Sequence, residues 1–161
     1  MLEIRKATES DHAQVWEIIK SVIATGDTYV FYPNSSREKM LDYWFSEEKK
    51  VYVAKLENKI VGTFYLKPNQ PDLGSHICNA GYMVSAEAKG QGIGRKMAEF
   101  SLVEACRLGY RAMQFNFVVK SNERAIKLWL SLGFQIIGEI PEAFQNPENS
   151  FTNALIMYRK L

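Results

Sequence analysis

The chain has little of what would tie it to several common classes. It carries only two cysteines, Cys78 and Cys106, in 161 residues, with no metal-type spacing near them. Neither a disulfide scaffold nor a zinc site is expected, and both read as buried thiols in a reducing compartment. The two histidines, His12 and His76, make no cluster. No apolar run approaches the roughly 20 residues that a bilayer-spanning helix needs. The opening Met-Leu-Glu-Ile-Arg-Lys lacks the apolar core of a secretory signal. Together these absences point to the cytoplasm. A net charge of +2 is too small to argue for nucleic acid. There is no internal repeat, low-complexity tract or linker, so residues 1–161 are read as one domain, able to bury about two-thirds of its unfolded surface.

What is present alternates between strand and helix patterns. Leu2 to Ala7 reads as a strand, and Thr8 with Asp11 as a variant capping box. Val15, Trp16, Ile18, Ile19, Val22 and Ile23 then recur at helical spacing as far as Ala24. An aromatic loop, Thr28 to Asn34, leads to a second helix capped by Ser35 or Ser36 and running to Phe45. Val51 to Leu56 and Ile60 to Leu66 flank Glu57-Asn58-Lys59 as a hairpin. A polar loop from Pro68 to Gly74 precedes a strand from His76 to Val84, and a third helix ends at Gly109. Ala112 to Val119 is a strand, Ala125 to Leu132 a helix closed by Gly133, and Phe134 to Ile140 and Phe151 to Arg159 the last strands. Pro141 to Ser150 is expected to be a long polar loop. This order gives an α/β sandwich around one mixed sheet.

The chemistry concentrates between Asn79 and Met97. Tyr82, Met83 and Val84 are strand-like, while Ile93, Met97, Phe100 and Val103/Glu104 are spaced as a helix. Between them Gly90, Gly92 and Gly94 stand on alternate positions. A backbone without Cβ can approach a ligand and turn its N–H groups outward. At a helix start those donors add to a partial charge of about half an electron, which suits a phosphate or pyrophosphate. Lys89, Arg95 and Lys96 add local positive charge. A Walker loop would need Lys then Ser or Thr where Arg95-Lys96 stand, and a dinucleotide fingerprint would need glycine in place of Arg95 or Met97. The plain alternative is a glycine turn that only caps a helix.

The pattern that remains, Lys89-Gly90-Gln91-Gly92-Ile93-Gly94, resembles the acetyl-coenzyme A signature of the GCN5-related N-acetyltransferases (GNAT), and the element order agrees over the whole chain. The resemblance implies the acyl-CoA N-acyltransferase fold, α/β (α+β), with a mixed, mostly antiparallel sheet of about seven strands and four helices. It implies acetyl-CoA as cofactor. Lys89 and Gly90 would begin the loop, and the N–H groups of Gln91, Gly92, Ile93, Gly94 and Arg95 would bind the pyrophosphate. The pantetheine arm would pair with the backbone of Tyr82, Met83 and Val84 like an added strand. A backbone N–H near Tyr82 would face the thioester carbonyl, and one such preorganised donor is worth about 3 kcal/mol.

A second match runs from Asn122 through Ala125 and Trp129 to Gly133-Phe134. Asn122, Ala125 and Trp129 share a helical face. Asn122 matches the residue that reaches the cofactor in the family, although an asparagine at a helix start can also serve the backbone alone. Trp129 departs from the family, which often has a tyrosine there to protonate the leaving thiolate. Indole N–H donates a hydrogen bond but is no acid near neutral pH, and losing a general acid costs about 10² to 10⁴ in rate. Trp129 is therefore expected to pack against cofactor or core.

No Asp or Glu stands in Gln114 to Val118 to act as a base, but Asn116 does, and the neighbouring strand carries Asn79. Buried amides must find partners, and paired carboxamides suit a ligand offering both a carboxylate and an amine. Ser75 to Gly81, Asn116, Asn122 and Gly26-Asp27-Thr28-Tyr29 look similar to acetyltransferases that detoxify proline analogues such as azetidine-2-carboxylate. Asn79, Asn116 and the Tyr82 backbone are the expected catalytic residues, with Tyr29, Tyr32 and Tyr65 as acceptor-side walls. The implied partner is a small-molecule amine, with no metal, membrane or nucleic acid expected, and a homodimer is possible because dimers are common in the family. Two alternatives stand: a protein N-terminus or lysine as acceptor, which calls for an acidic groove, and a non-catalytic acetyl-CoA sensor, for which Trp129 argues.

Overall fold

Local chemistry sets the first elements. Strand β1 (Leu2–Lys6) is followed by a 3-10 turn at Glu9–Asp11 and helix α1 (His12–Ile23). The Asp11 carboxylate reaches back to accept the Thr8 N–H at 2.7 Å, and the Arg5 guanidinium clamps it from β1 at 2.8 and 3.0 Å. Helix α2 (Arg37–Trp44) starts at Ser36, whose hydroxyl accepts the Lys39 N–H at 3.2 Å.

In the computed structural model, which describes residues 1–161, the chain continues through β2 (Lys50–Leu56), β3 (Lys59–Pro68), β4 (Ile77–Val84), α3 (Ile93–Arg107), β5 (Ala112–Val119), α4 (Glu123–Ser131), β6 (Gln135–Gln145) and β7 (Phe151–Lys160). The strands form one seven-stranded sheet in the order β1-β2-β3-β4-β5-β7-β6. Every neighbouring pair is antiparallel except β4 and β5. The element order and the mixed, mostly antiparallel sheet are those expected. No helix is long and apolar enough to cross a membrane.

Strands β2 and β3 are nearly continuous apolar runs because both faces are covered. Alternate side chains go to opposite faces. Tyr52, Phe64 and Leu66 join α3 and the Trp129 region in one core, while Val51, Val53 and Tyr65 join α1 and α2 in a second. In the second core the buried Trp44 indole donates to Thr63 Oγ1 at 3.1 Å, which donates in turn to Tyr52 O at 2.8 Å.

Two expectations need correction. Cys78 is buried, but Cys106 is exposed, because it falls on the outer face of α3. The expected loop from Pro141 to Ser150 is half strand: β6 runs on to Gln145, with Phe144 paired to Thr152 and Gln145 to Phe151. Pro141 and Glu142 belong to a break in register between Ile140 and Phe144, where Glu142 takes a positive φ of 50° and its N–H donates to Asn153 Oδ1 at 2.8 Å. Proline cannot donate to a ladder, so it is tolerated at such a bulge.

Candidate active site

The site begins where β4 and β5 part. They pair only through Ile77↔Ala112 and Cys78↔Met113. Immediately beyond, Asn79 Nδ2 donates to the Gln114 carbonyl at 3.0 Å, satisfying a ladder acceptor that β4 no longer meets. Asn79 Oδ1 is left without a partner in the chain.

On its other side β4 is bonded to β3. Ser85 N–H donates to Val61 O at 2.8 Å, and Thr63↔Met83 and Phe64↔Tyr82 follow in register. Antiparallel pairs alternate between bonded and non-bonded, so the main-chain groups of Met83 face β3. Those of Tyr82 and Val84 face the gap beside β5. Of the three backbones expected to meet the pantetheine arm, two are presented and that of Met83 is turned away.

The glycine loop leads into α3. Gly90 and Gly92 have φ of 81° and 74°, the left-handed region that glycine enters without strain. Gln91 N–H is already engaged with Ala88 O at 3.4 Å, and Lys96 N–H with Gly92 O at 3.1 Å. The N–H groups of Gly92, Ile93, Gly94 and Arg95 have no acceptor within the chain. They are the orphan donors of a helix start, at the positive end of a 15-residue helix. Lys89 and Lys96 are exposed beside them, while Arg95 is tied to Glu99 at 3.3 Å and to Ser131 at 2.6 Å. Gly94 lies against Val84, since a Cβ on it would be 3.8 Å from that side chain. Converging donors without acceptors, with cations at the rim, fit a diphosphate whose attached chain runs on along β4.

A crevice of about 330 Å³ passes through the sheet at the gap, lined by 19 residues. On the face of α3 and α4 it meets Asn122, Ala125 and Trp129; on the opposite face it meets the loop residues Thr28 to Phe31 and Tyr43 of α2. Asn122 Oδ1 accepts the Ala125 N–H at 3.3 Å, so this residue caps α4 as well as lining the crevice. Trp129 is buried, with its ring centroid 5.0 Å from Tyr82, 4.4 Å from Phe115 and 5.5 Å from Phe134. The Tyr82 side chain lies on that same face, its hydroxyl 2.6 Å from Ser101 Oγ.

Asn79 and Asn116 both line the crevice, but they are not the pair of buried amides expected. Asn79 is half-buried and Asn116 exposed, because the divergence of β5 opens that strand to solvent. Asn116 Nδ2 donates to Asn69 Oδ1 at 2.6 Å, and its Oδ1 accepts from Gln114 Nε2 at 3.0 Å. Tyr65 and Tyr29 are walls of the crevice, whereas Tyr32 is 73% exposed and outside it. The Tyr65 ring lies so close to β4 that a Cβ on Gly81 would come within 2.6 Å of it.

Three residues of the site escaped the sequence reading in whole or in role. Lys67 is the one charged residue lining the crevice. Its signal is faint: it is the first charged residue after the uncharged run Ile60 to Leu66. It pairs at 3.5 Å with the exposed Glu48. Lys49 stands behind the wall, its Nζ 3.2 Å from the Tyr43 ring centre and 4.6 Å from that of Tyr65. Burial, reinforced by nearby Lys67, brings its pKa down to about 8. Tyr29, foreseen only as a wall, sends its hydroxyl to the Tyr82 backbone, accepting the N–H at 3.0 Å and donating to the carbonyl at 2.7 Å. Burial pushes that phenol well above its usual range, so it stays protonated.

Comparison with known proteins gives a consistent likeness. Residues 16–134 match the model of the acetyltransferase (GNAT) family. N-acetyltransferase aca1 of Schizosaccharomyces pombe is 41% identical over 87 residues, 54% of this chain but 42% of that protein's own length. A GCN5-related N-acetyltransferase from Kribbella flavida superposes with a TM-score of 0.92 at 34% identity, over 99% of this chain and 98% of the other. The yncA protein of Salmonella typhimurium, solved with acetyl-CoA, shares the fold at 20% identity with a TM-score of 0.88, over 100% of this chain and 94% of the other.

Proposed function

Because this chain belongs to the acetyltransferase (GNAT) family, we propose that it transfers the acetyl group of acetyl-CoA to the amine of a small amino acid or proline-like compound. The carrying observation is the charge of the crevice. Lys67 is its one charged lining residue, and no aspartate or glutamate lines it. A polyamine or a lysine side chain would want carboxylates there, whereas an amino acid brings its own. Lys67 can exchange Glu48, a partner on an exposed side chain, for a substrate carboxylate at little cost.

Acetyl-CoA, when bound, supplies an acyl group activated as a thioester. The chain's residues hold and orient. Gly92, Ile93, Gly94 and Arg95 offer their N–H groups to the diphosphate, and Val84 and Tyr82 offer main-chain groups along the gap. Asn79 Oδ1, unpartnered beside that gap, can accept a hydrogen bond from the amine. With no carboxylate in the crevice, the amine loses its proton to water. Trp129, packed among aromatic rings, supplies shape and no acid. That absence is also what favours the second reading, a domain that binds acetyl-CoA without turnover.

Thiol release from acetyl-CoA, measured against a panel of amino acids and their decarboxylated counterparts, separates these readings. Amino acids should be acetylated and the decarboxylated amines poorly. Lys67→Gln should raise the acceptor KM by about tenfold, the loss of one charge-assisted hydrogen bond, and leave acetyl-CoA affinity unchanged. Equal turnover of decarboxylated amines would refute the carboxylate reading, and tight cofactor binding with no turnover on any amine would establish the sensor.

A further inference from the structure

We infer that the Tyr29 hydroxyl is a catalytic group, a second hydrogen-bond donor to the acyl oxygen beside the Tyr82 N–H. This rests on the proposed acetyl transfer but not on which amine accepts. Tyr29 comes from the loop between α1 and α2, 53 positions from Tyr82 in sequence, yet its oxygen bridges the N–H and carbonyl of that single residue. These are main-chain groups that β4 turns into the gap. An acyl oxygen accepting the Tyr82 N–H comes to the point the phenol oxygen holds. The two oxygens cannot coincide, so the ring moves aside by about 3 Å, one hydrogen-bond length, and its O–H is then within reach of the incoming oxygen. The ring's neighbours in that loop are aromatic, with Tyr29 stacked on Phe31 at 6.3 Å and Phe31 edge-on to Tyr43 at 4.7 Å.

The rest of the crevice leaves this role open. It contains no histidine, arginine or carboxylate that could meet charge on the acyl oxygen, and Lys67 lies at the acceptor end, paired in register with Asn79 rather than Tyr82. Tyr65, the buried tyrosine of the wall, directs its hydroxyl toward Tyr43 at 3.5 Å instead. A phenol kept protonated by burial donates throughout the reaction and gives up no proton. The balance of the step follows. The amine lone pair forms the C–N bond, the C–S bond breaks with its electron pair passing to sulfur, and the amine proton leaves to water. Tyr29 is unchanged at the end. Its contribution is that of one preorganised donor aimed at developing charge.

Tyr29→Phe keeps the ring and removes the donor. The infrared carbonyl band of bound acetyl-CoA labelled with ¹³C at the acyl carbon should lie at lower frequency in the wild-type protein than in the variant, because a hydrogen bond weakens that bond. Turnover with the best acceptor should fall on the order of 100-fold, with the KM for acetyl-CoA unchanged or lower. An identical carbonyl band in the two proteins overturns the inference, as does a turnover within about threefold of wild type. The carbonyl measurement needs only bound cofactor, so a chain that binds acetyl-CoA but acetylates nothing would sink the transferase reading and with it the catalytic role, while the band would still show whether the Tyr29 hydroxyl donates to the acyl oxygen. A chain that does not bind acetyl-CoA overturns both.

Discussion

At the scale of single residues, Gly92 carries two duties at once. Its φ of 74° lets the loop enter α3, and its N–H belongs to the set left without acceptors. Replacing it by aspartate tests the second duty more than the first, because Asp tolerates the left-handed region better than most side chains. Gly92→Asp should therefore cost little in melting temperature but weaken coenzyme A binding at least about 100-fold by setting a carboxylate against a diphosphate; titration calorimetry with a thermal melt checks both. The loop could be read from sequence because its requirement is local: three alternate glycines before a helical pattern leave few other uses. Tyr29 and Lys67 could not be read to their full roles. What makes them interesting is the surface each is brought against, and no local pattern encodes a hydroxyl meeting a backbone 53 residues away.

At the scale of elements, the corner between β1 and α1 is held by charge. Hydrogen bonds from Arg5, opposed by partial burial and helped by the Thr8 N–H, hold Asp11 at a pKa of about 2. Glu104 on α3 is held at about 2 likewise, by Arg107 first and with the Tyr52 hydroxyl assisting. Both folded values lie below the ordinary carboxylate range near 4, so the unfolded chain binds more protons in between. The stability they give is complete above about pH 5, once both unfolded carboxyls would be ionised, and is lost as pH falls through about 2. Asp11→Asn should cost roughly 2 kcal/mol at neutral pH and reduce the acid-side slope of stability by about half, since Glu104 still titrates. Urea unfolding from pH 2 to pH 7 measures both. The elements themselves were mostly visible in advance, because apolar runs and cap residues are local signals. The far half of β6 was not. Pro141-Glu142 has the composition of a turn, and only the partner strand β7 makes it a bulge.

At the scale of the whole molecule, two cores on opposite faces of one sheet leave a seam where β4 and β5 separate. A ligand lying in the seam would tie the β1–β4 half to the β5–β7 half. Acetyl-CoA at 100 times its Kd should stabilise the fold by about 2.7 kcal/mol. The added protection from hydrogen exchange should centre on the amides of Tyr82 and Val84, which β3 does not engage. Mass spectrometry of peptides spanning Asn79 to Ser85 would show it, and protection spread evenly over the sheet would contradict a ligand bound along β4.

Exposed strand edges ordinarily invite other chains to add to them, and proteins blunt them for that reason. Here two bare edges confront each other inside the fold, with Asn79 pinning them together at one end. An extended chain carrying its own amides could bond to both edges at once. What would be an aggregation hazard on the outside of a sheet is, by facing inward between β4 and β5, an opening for a single extended ligand.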